Sequence, residues 1–262
     1  MTRHENFTLS DSEIKLAEKD LVLAVDLDGT FLGGTDQERA QFYAWIESHR
    51  DRVGLIFVTG RDPGFITNLT RKQGVPRPDY VVADVGTTVA RVEPDHKLAP
   101  ITEIETEIAD AWGDKGQIVQ SKLHHADGLT LQSTGFRYRV SYHLDQDQFD
   151  SSVLDTIADL GLDAIVSDSK FLDVLPKDVS KGPSLLKLLT FLGVDNKKVL
   201  VAGDTLNDLS MLSLGLPAVA VGGAEEGLID EVIDMDHVHV ATGIGVSGIA
   251  EAILKFEMFA AK

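Results

Sequence analysis

The stretch Leu21-Val22-Leu23-Ala24-Val25-Asp26-Leu27-Asp28-Gly29-Thr30-Phe31-Leu32 decides the fold. Its first five residues are apolar without a break, the pattern of a parallel strand covered on both faces. Two carboxylates, Asp26 and Asp28, follow two residues apart, with Gly29-Thr30 directly after. In an extended chain, residues i and i+2 share a face. A bend at Asp28-Gly29 leaves the pair at the strand's C-terminal end, where open α/β sheets place their ligands. Two anions beside a buried strand are costly unless a cation or a shared proton lies between them. Alone, the segment also reads as a strand ending in a solvated Asp-Gly turn, so the rest of the chain must decide.

With 262 residues the chain is long enough for one or two domains and a substantial core. Hydrophobic residues at 43% and charged residues at 25% are an ordinary soluble composition. The net charge of −18 argues against a nucleic-acid-binding surface and against docking on an anionic membrane. It leaves an anionic substrate open, because a bound cation reverses the local field; adaptation to salt also produces such acidity. The absence of cysteine rules out disulfides and thiolate metal sites. No apolar run is long enough for a bilayer, and Met1–Ser10 lacks the apolar core of a signal peptide. A cytoplasmic location is therefore the default expectation.

Residues 1–20 read as a polar leader with a short helix near Ser12–Lys19, and the first strand spans Leu21–Leu27. Asp36, as an N-cap, opens a helix to about Arg50 with Phe42, Trp45 and Ile46 on one face. A second buried run, Val53–Val58, ends in Thr59-Gly60-Arg61, and Pro63 starts a helix to about Gln73. Tyr80–Ala83 forms a third strand ahead of Asp84-Val85-Gly86-Thr87-Thr88. This alternation predicts a doubly wound, Rossmann-like parallel sheet with right-handed crossovers.

After Thr88 the rhythm changes. Val89–Leu98 reads as an exposed hairpin, Ile101–Trp112 as a helix, and Gly113–Gly128 as polar connecting chain. Phe136–Leu144 alternates apolar and polar residues, as a half-buried antiparallel strand does. Asp147–Leu160 is helical, and Ala164–Ser167 pairs with Phe171–Leu175. Residues 89–176 thus read as an inserted α+β domain, with 1–88 and 177–262 as the core. The βα rhythm resumes with the helix Ser180–Leu192, the strand Val199–Ala202, the helix Leu209–Leu214 and the strand Ala218–Val221. His237–Ala241 then reads as an edge strand, and Val246–Phe259 as a closing helix.

Four polar clusters stand where buried strands end or helices begin: Asp26/Asp28/Thr30, Thr59-Gly60-Arg61, Lys181-Gly182, and Gly203-Asp204 with Asn207 and Asp208. Right-handed connections bring such ends to one edge of the sheet, so the clusters should meet. Together they suit phosphoryl transfer. A hard cation such as Mg²⁺ takes oxygen ligands, which Asp26, Asp204 and Asp208 could supply with the backbone oxygen of Asp28. A carboxylate can accept a phosphoryl group as an aspartyl-phosphate. Thr59, Gly60 and Lys181 offer donors to the phosphoryl oxygens, and a second carboxylate, Asp28, can move the proton.

In order and spacing, Asp26-Leu27-Asp28-Gly29-Thr30, Thr59-Gly60-Arg61, Lys181-Gly182 and Gly203-Asp204-Thr205-Leu206-Asn207-Asp208 resemble the four motifs of the haloacid-dehalogenase-like (HAD) phosphatases. The insertion resembles their type IIB cap. Val85-Gly86-Thr87, Arg139-Val140-Ser141-Tyr142-His143, Leu172-Asp173-Val174-Leu175-Pro176 and Ser180-Lys181-Gly182 resemble stretches of the sucrose-phosphate phosphatase family. The resemblance implies Asp26 as nucleophile and Asp28 as general acid/base. Thr59 and Lys181 would hold the phosphoryl group, and Asp204 and Asp208 would anchor Mg²⁺. Thr30, Gly60, Arg61 and Asn207 would complete the phosphate site, with Arg139, Ser141, Lys170 and Asp173 reading the sugar from the cap. The implied substrate is a small-molecule sugar phosphate such as sucrose-6-phosphate. Two positions depart from that family: Asp62 stands where it tends to have Ser, and Gly29 where it tends to have Asn.

Blander readings stand beside these. Lys181 also reads as a solvated lysine, although a cation at a helix N-terminus opposes the macrodipole and favours a bound anion. The polar face Arg137/Arg139/Ser141/His143 reads equally as solvated or as facing a sugar. His124-His125 and His237/His239 lack a spaced third ligand and read as surface or edge-strand histidines; Trp45 and Trp112 read as core anchors. A phosphomutase, a broad-range hexose-phosphate phosphatase of the same fold and a non-catalytic phosphate- or metal-binding regulator remain the alternatives. The oligomeric state is left open, a monomer being admissible.

Overall fold

A computed structural model describes residues 15–260. The leader expected before residue 15 lies outside the described residues; within them, Leu16–Glu18 forms a single 3₁₀ turn whose Leu16 is buried.

In chain order, the first half comprises β1 (Leu21–Val25), α1 (Asp36–Ser48), β2 (Val53–Val58), α2 (Pro63–Thr70), β3 (Tyr80–Ala83), β4 (Thr88–Val92), β5 (Leu98–Pro100) and α3 (Thr102–Trp112). Next come α4 (Gly116–Leu123), β6 (Leu129–Leu131), β7 (Val140–Leu144), α5 (Ser152–Asp159), β8 (Leu162–Ser167) and β9 (Phe171–Pro176). The chain closes with α6 (Lys181–Leu192), β10 (Val199–Gly203), α7 (Leu209–Leu212), β11 (Ala218–Gly222), α8 (Glu226–Val232), β12 (Val238–Ile244) and α9 (Val246–Lys255).

Eight strands form one sheet in the order β12-β11-β10-β1-β2-β3-β4-β5. The first six run parallel, and β4 and β5 add antiparallel at one edge. β1 is central because all five of its residues are fully buried and can be covered from both faces. Leu21, Leu23 and Val25 pack on one side with Phe42 and Ile46 of α1 and Ile249 of α9. Val22 and Ala24 pack on the other with Leu185 and Leu188 of α6, Met211 of α7 and Leu228 of α8. The chain leaves β1 toward β2 and β3, then returns through β10 toward β11 and β12. The switch in direction therefore falls between β1 and β10, the place where such sheets bind ligands.

The second sheet, β6-β7-β9-β8, is wholly antiparallel. One face, with Val140, Tyr142, Leu172 and Val174, covers a separate core with Val119 and Leu123 of α4 and Ile157 of α5.

The structure differs from the sequence reading at several elements. The expected exposed hairpin Val89–Leu98 is instead β4 and β5 of the core sheet, with Val89 and Ala90 fully buried. The segment expected as connecting chain contains α4, because Val119 and Leu123, four residues apart, share a buried helical face. Helix α8 was not foreseen. Thr35, not Asp36, caps α1: it accepts from the Glu38 N–H at 3.2 Å while the Glu38 carboxylate accepts from the Thr35 N–H at 2.7 Å. Asp62 caps α2, accepting from the Phe65 N–H at 3.0 Å. Ser would perform the same capping, so Asp for Ser at this position conserves the local structure. Among the described residues, no helix is long and apolar enough to cross a membrane.

Candidate active site

Asp26 leaves β1 with its N–H still in the sheet, donating to the Ala202 carbonyl at 2.9 Å. The chain then turns sharply at Gly29, whose φ of +79° suits glycine. A Cβ there would stand 2.0 Å from Asp204 Oδ2, so an Asn at this position would have to displace the Asp204 side chain. The turn swings Thr30 inward, and its hydroxyl donates to Asp204 Oδ1 at 2.7 Å. Beyond β10, Asp208 Oδ2 accepts from the N–H groups of Asp204 and Thr205 at 2.9 and 3.0 Å. That Asx-type cap sets the loop carrying Asp204 and Asn207.

Lys181 opens α6 and is 1% exposed. Its ammonium donates to Asp26 Oδ1 at 2.6 Å, Asn207 Oδ1 at 2.6 Å and Asp208 Oδ1 at 2.7 Å, which uses all three hydrogens. Gly182 allows this approach: a Cβ would stand 2.0 Å from the Ser210 carbonyl oxygen. The side chains of Asp26, Asp204 and Asp208 each present an oxygen within 4.8 Å of the others, the one such group among the described residues.

These charges are not balanced: three carboxylates face one ammonium. Burial pushes the Asp26 carboxyl well above its ordinary range; Lys181 pulls it back, and Asp208 and Asp204 push it further up. Burial, then the charge of Asp208, raises Asp204 to about 7. Burial works against the Lys181 charge, but Asp208 and Asp26 outweigh it and hold the ammonium above its ordinary value. The surplus negative charge and the all-oxygen donor set fit a hard divalent cation, which would restore both raised carboxyls to their anionic form.

Thr59, at the end of β2, is 1% exposed, and its hydroxyl accepts from the Arg61 N–H at 3.1 Å. Arg61 was expected on the phosphate or substrate. Its guanidinium instead grips Asp28 with two parallel bonds of 2.7 and 2.9 Å and lies 4.6 Å from the Phe65 ring centroid. A carboxylate is the better partner for the planar fork when no other anion is near. Both side chains remain about half exposed.

The second sheet roofs this edge. Arg139, Ser141 and Asp173 share its inward face, with Ser141 opposite Asp173 in register. Arg139 donates to Ser141 at 2.9 Å and Asp173 at 3.0 Å, and its other terminal nitrogen lies 3.1 Å from Asp84 of the core. The solvated reading of this polar face therefore fails at Arg139 and Ser141, which the core covers, and holds at His143, which is exposed.

A cavity of about 560 Å³ lies between the two sheets, within the size range of small-molecule sites. Asp26, Asp28, Thr59, Gly60, Asp204 and Asn207 line its floor. Arg61 also reaches the cavity, and Arg139 and Asp173 stand in the opposite wall. Three expected substrate contacts lie elsewhere. Thr30 is spent on Asp204, Ser141 is fully buried on Asp173, and Lys170 is exposed at the β8–β9 turn, pairing with Asp168 at 2.8 Å. Gln132, Thr134, Asp168, Phe171 and Glu225 line the cavity unforeseen. Glu225 follows β11 and accepts from the Leu206 N–H at 2.6 Å, so the rule of polar residues after strand ends could have found it. Gln132 and Thr134 sit in irregular chain and carry no such signal.

A family model described as sucrose-6F-phosphate phosphohydrolase matches residues 19–257. Glucosylglycerol-phosphate synthase of Pseudomonas anguilliseptica is 38% identical over 237 residues, covering 90% of this chain and 31% of the synthase. Sucrose-phosphatase 1 of Nicotiana tabacum is 29% identical over 257 residues, covering 91% of this chain and 59% of the relative. The chain thus spans about a third of the first relative and less than two thirds of the second. The X-ray structure of the Synechocystis sucrose-phosphatase, in complex with sucrose and phosphate, superposes with a TM-score of 0.82 at 24% identity, covering 91% of this chain and 98% of that one. Family-model coverage of nearly the whole described chain and the shared fold establish that this protein belongs to the sucrose-6F-phosphate phosphohydrolase family of HAD-type phosphatases.

Proposed function

We propose that the chain is a Mg²⁺-dependent phosphomonoesterase that hydrolyses a glycosyl phosphate through an aspartyl-phosphate on Asp26. The observation that carries this reading is the Lys181 ammonium, buried and bonded at once to Asp26, Asn207 and Asp208 beside Asp204. Asp26, Asp204 and Asp208, with the Asp28 carbonyl, would hold the cation, which when bound neutralises charge on the phosphoryl oxygens. Thr59 and the Gly60 N–H donate to those oxygens, and Lys181 would turn one of its three hydrogens, held here by Asp26, Asn207 and Asp208, to a phosphoryl oxygen when the phosphate is bound. An Asp26 oxygen attacks phosphorus, the bond from phosphorus to the sugar oxygen breaks, and Asp28 protonates that oxygen. Water then attacks the aspartyl-phosphate, its proton passes to Asp28, and phosphate leaves with Asp26 restored. Arg61 holds both Asp28 oxygens here, so for this proton transfer it would release one of them and keep Asp28 oriented through the other.

The second sheet with α4 and α5 serves as the cap. Because β4 and β5 belong to the core sheet, we place the inserted cap at about residues 113–176 rather than 89–176. Its one cation at the cavity wall, Arg139, is already paired with two carboxylates. This supports a neutral, hydroxyl-rich leaving group over an anionic one.

A phosphate-release panel over sucrose-6-phosphate, glucosylglycerol phosphate and simple hexose phosphates, with Mg²⁺ or EDTA, tests the proposal. The expected result is Mg²⁺-dependent phosphate release, fastest from a two-unit glycosyl phosphate. Isomerised hexose phosphate without free phosphate would indicate a mutase. No release from any ester would overturn the reading.

A further inference from the structure

Arg139 belongs to the cap, yet its strongest tie to the core is one carboxylate, Asp84. The guanidinium bridges Asp173 at 3.0 Å and Asp84 at 3.1 Å. All three residues are more than nine-tenths buried. Asp84 is braced in turn, accepting from the Thr88 hydroxyl at 2.8 Å. Its backbone is unusual for a non-glycine segment: Asp84 and Val85 have φ of +52° and +58°, and Gly86 follows at +105°. This bend is wedged into the catalytic floor. The Asp84 N–H donates to the Arg61 carbonyl at 3.0 Å and the Val85 N–H to the Thr59 carbonyl at 3.1 Å. On the other side, the Ser184 hydroxyl donates to the Gly86 carbonyl at 2.7 Å, beside the start of the Lys181 helix.

We infer that the Arg139–Asp84 ion pair is a latch that holds the cap closed and ties closure to the loop seating Thr59 and Lys181. Arg139 is thus a positioning residue rather than a reader of the sugar. Three features suit a latch over a fixed cross-link. The pair joins separate sheets, so opening the cap would expose both charges to water. The desolvation cost of a buried pair offsets much of its attraction, which leaves the two states close in free energy. Arg139 also keeps Asp173 when it leaves Asp84, so opening does not strand the guanidinium. Burial raises the Asp84 carboxyl while Arg139 opposes the shift, as expected where the cation keeps the carboxylate charged. Without the Arg139 charge, Asp84 and Asp173 would face each other unneutralised and drive the cap away.

Because the chain contains no cysteine, a pair of spin labels can be placed cleanly, at Ser121→Cys in α4 of the cap and Glu226→Cys in α8 of the core. In that background, Asp84→Asn, Arg139→Met and Arg139→Lys are compared by pulsed-dipolar distance distributions. Circular dichroism confirms folding, and the nearly isosteric Asp84→Asn guards against collapse of the Arg139→Met variant. The latch predicts one short distance in the parent and an added longer population in Asp84→Asn and Arg139→Met, with partial return to the short distance in Arg139→Lys. A kinetic arm, which alone rests on the proposed phosphatase activity, predicts a KM for the glycosyl phosphate raised about tenfold or more, with kcat within about threefold. This follows because a rarer closed state weakens apparent affinity in proportion. Distance distributions unchanged in both Asp84→Asn and Arg139→Met would overturn the latch whatever the substrate. A fall in kcat with unchanged KM would assign Arg139 to the chemistry instead.

Discussion

Asp26 and Asp28 are two residues apart in sequence and sit in opposite electrostatic settings. Asp26 is 5% exposed among other carboxylates, and Asp28 is half exposed on a guanidinium. Asp26→Asn should abolish phosphate release, a loss of roughly 10⁴-fold or more for a missing covalent nucleophile. The same substitution leaves two carboxyls instead of three around the one Lys181 ammonium, so it should raise the melting temperature of the protein in EDTA. Phosphate release and thermal denaturation moving in opposite directions would confirm both roles; a lower melting temperature in EDTA would refute the charge argument. Asp28→Asn should cost about 10²–10⁴-fold in kcat, the range for losing a general acid/base, while leaving the fold unchanged by circular dichroism.

One turn above all determines whether the elements deliver these residues. Gly86→Ala would place a Cβ 2.3 Å from the Ser180 carbonyl carbon at a φ of +105°. The expected cost is about 1–3 kcal/mol of stability from backbone strain alone, read by denaturant melts. Activity should fall as well, because the displaced Ser180 precedes Lys181. At the far edge of the sheet, Glu251 of α9 accepts from the Gly243 and Thr242 N–H groups at 3.0 and 3.1 Å and from His239 at 2.7 Å. The Gly243 bond first, then His239, draws its carboxyl down from the ordinary 4.5 to about 2. A depressed folded value means that this stabilisation is complete above the unfolded pKa and is lost as pH falls toward 2. Glu251→Gln should therefore melt below the parent at pH 7, with the gap narrowing as pH falls from about 4.5 toward 2. A gap constant with pH would refute the assignment.

At the scale of the whole molecule, the proposed cation would link folding to function. The surplus negative charge at the Asp26–Asp204–Asp208 cluster predicts that the metal-free protein is the less stable form. A ligand that binds only the folded state at a hundred times its Kd adds about 2.7 kcal/mol. Mg²⁺ titration should raise the melting temperature in the parent, and the shift should shrink in Asp204→Asn. An equal shift in that variant would place the ion elsewhere.

The alternation of apolar runs and polar strand ends was sufficient to read a parallel core sheet and to expect Asp26, Thr59, Lys181 and Asp204 at one edge. Each of those inferences depends only on period and chirality, which are local properties of the chain. Pairing partners are not local. Val89 and Ala90 read as an exposed hairpin because nothing within Val89–Leu98 says that β3 still has an open edge for them. Arg61 and Arg139 were assigned to ligands because a sequence shows a cation but not the carboxylate, dozens of residues away, that reaches it first. The sequence by itself determined the fold class and the residues proposed for catalysis. Only the tertiary structure decided which charges are spent on one another, since burial and distance set whether a guanidinium meets a substrate or an aspartate.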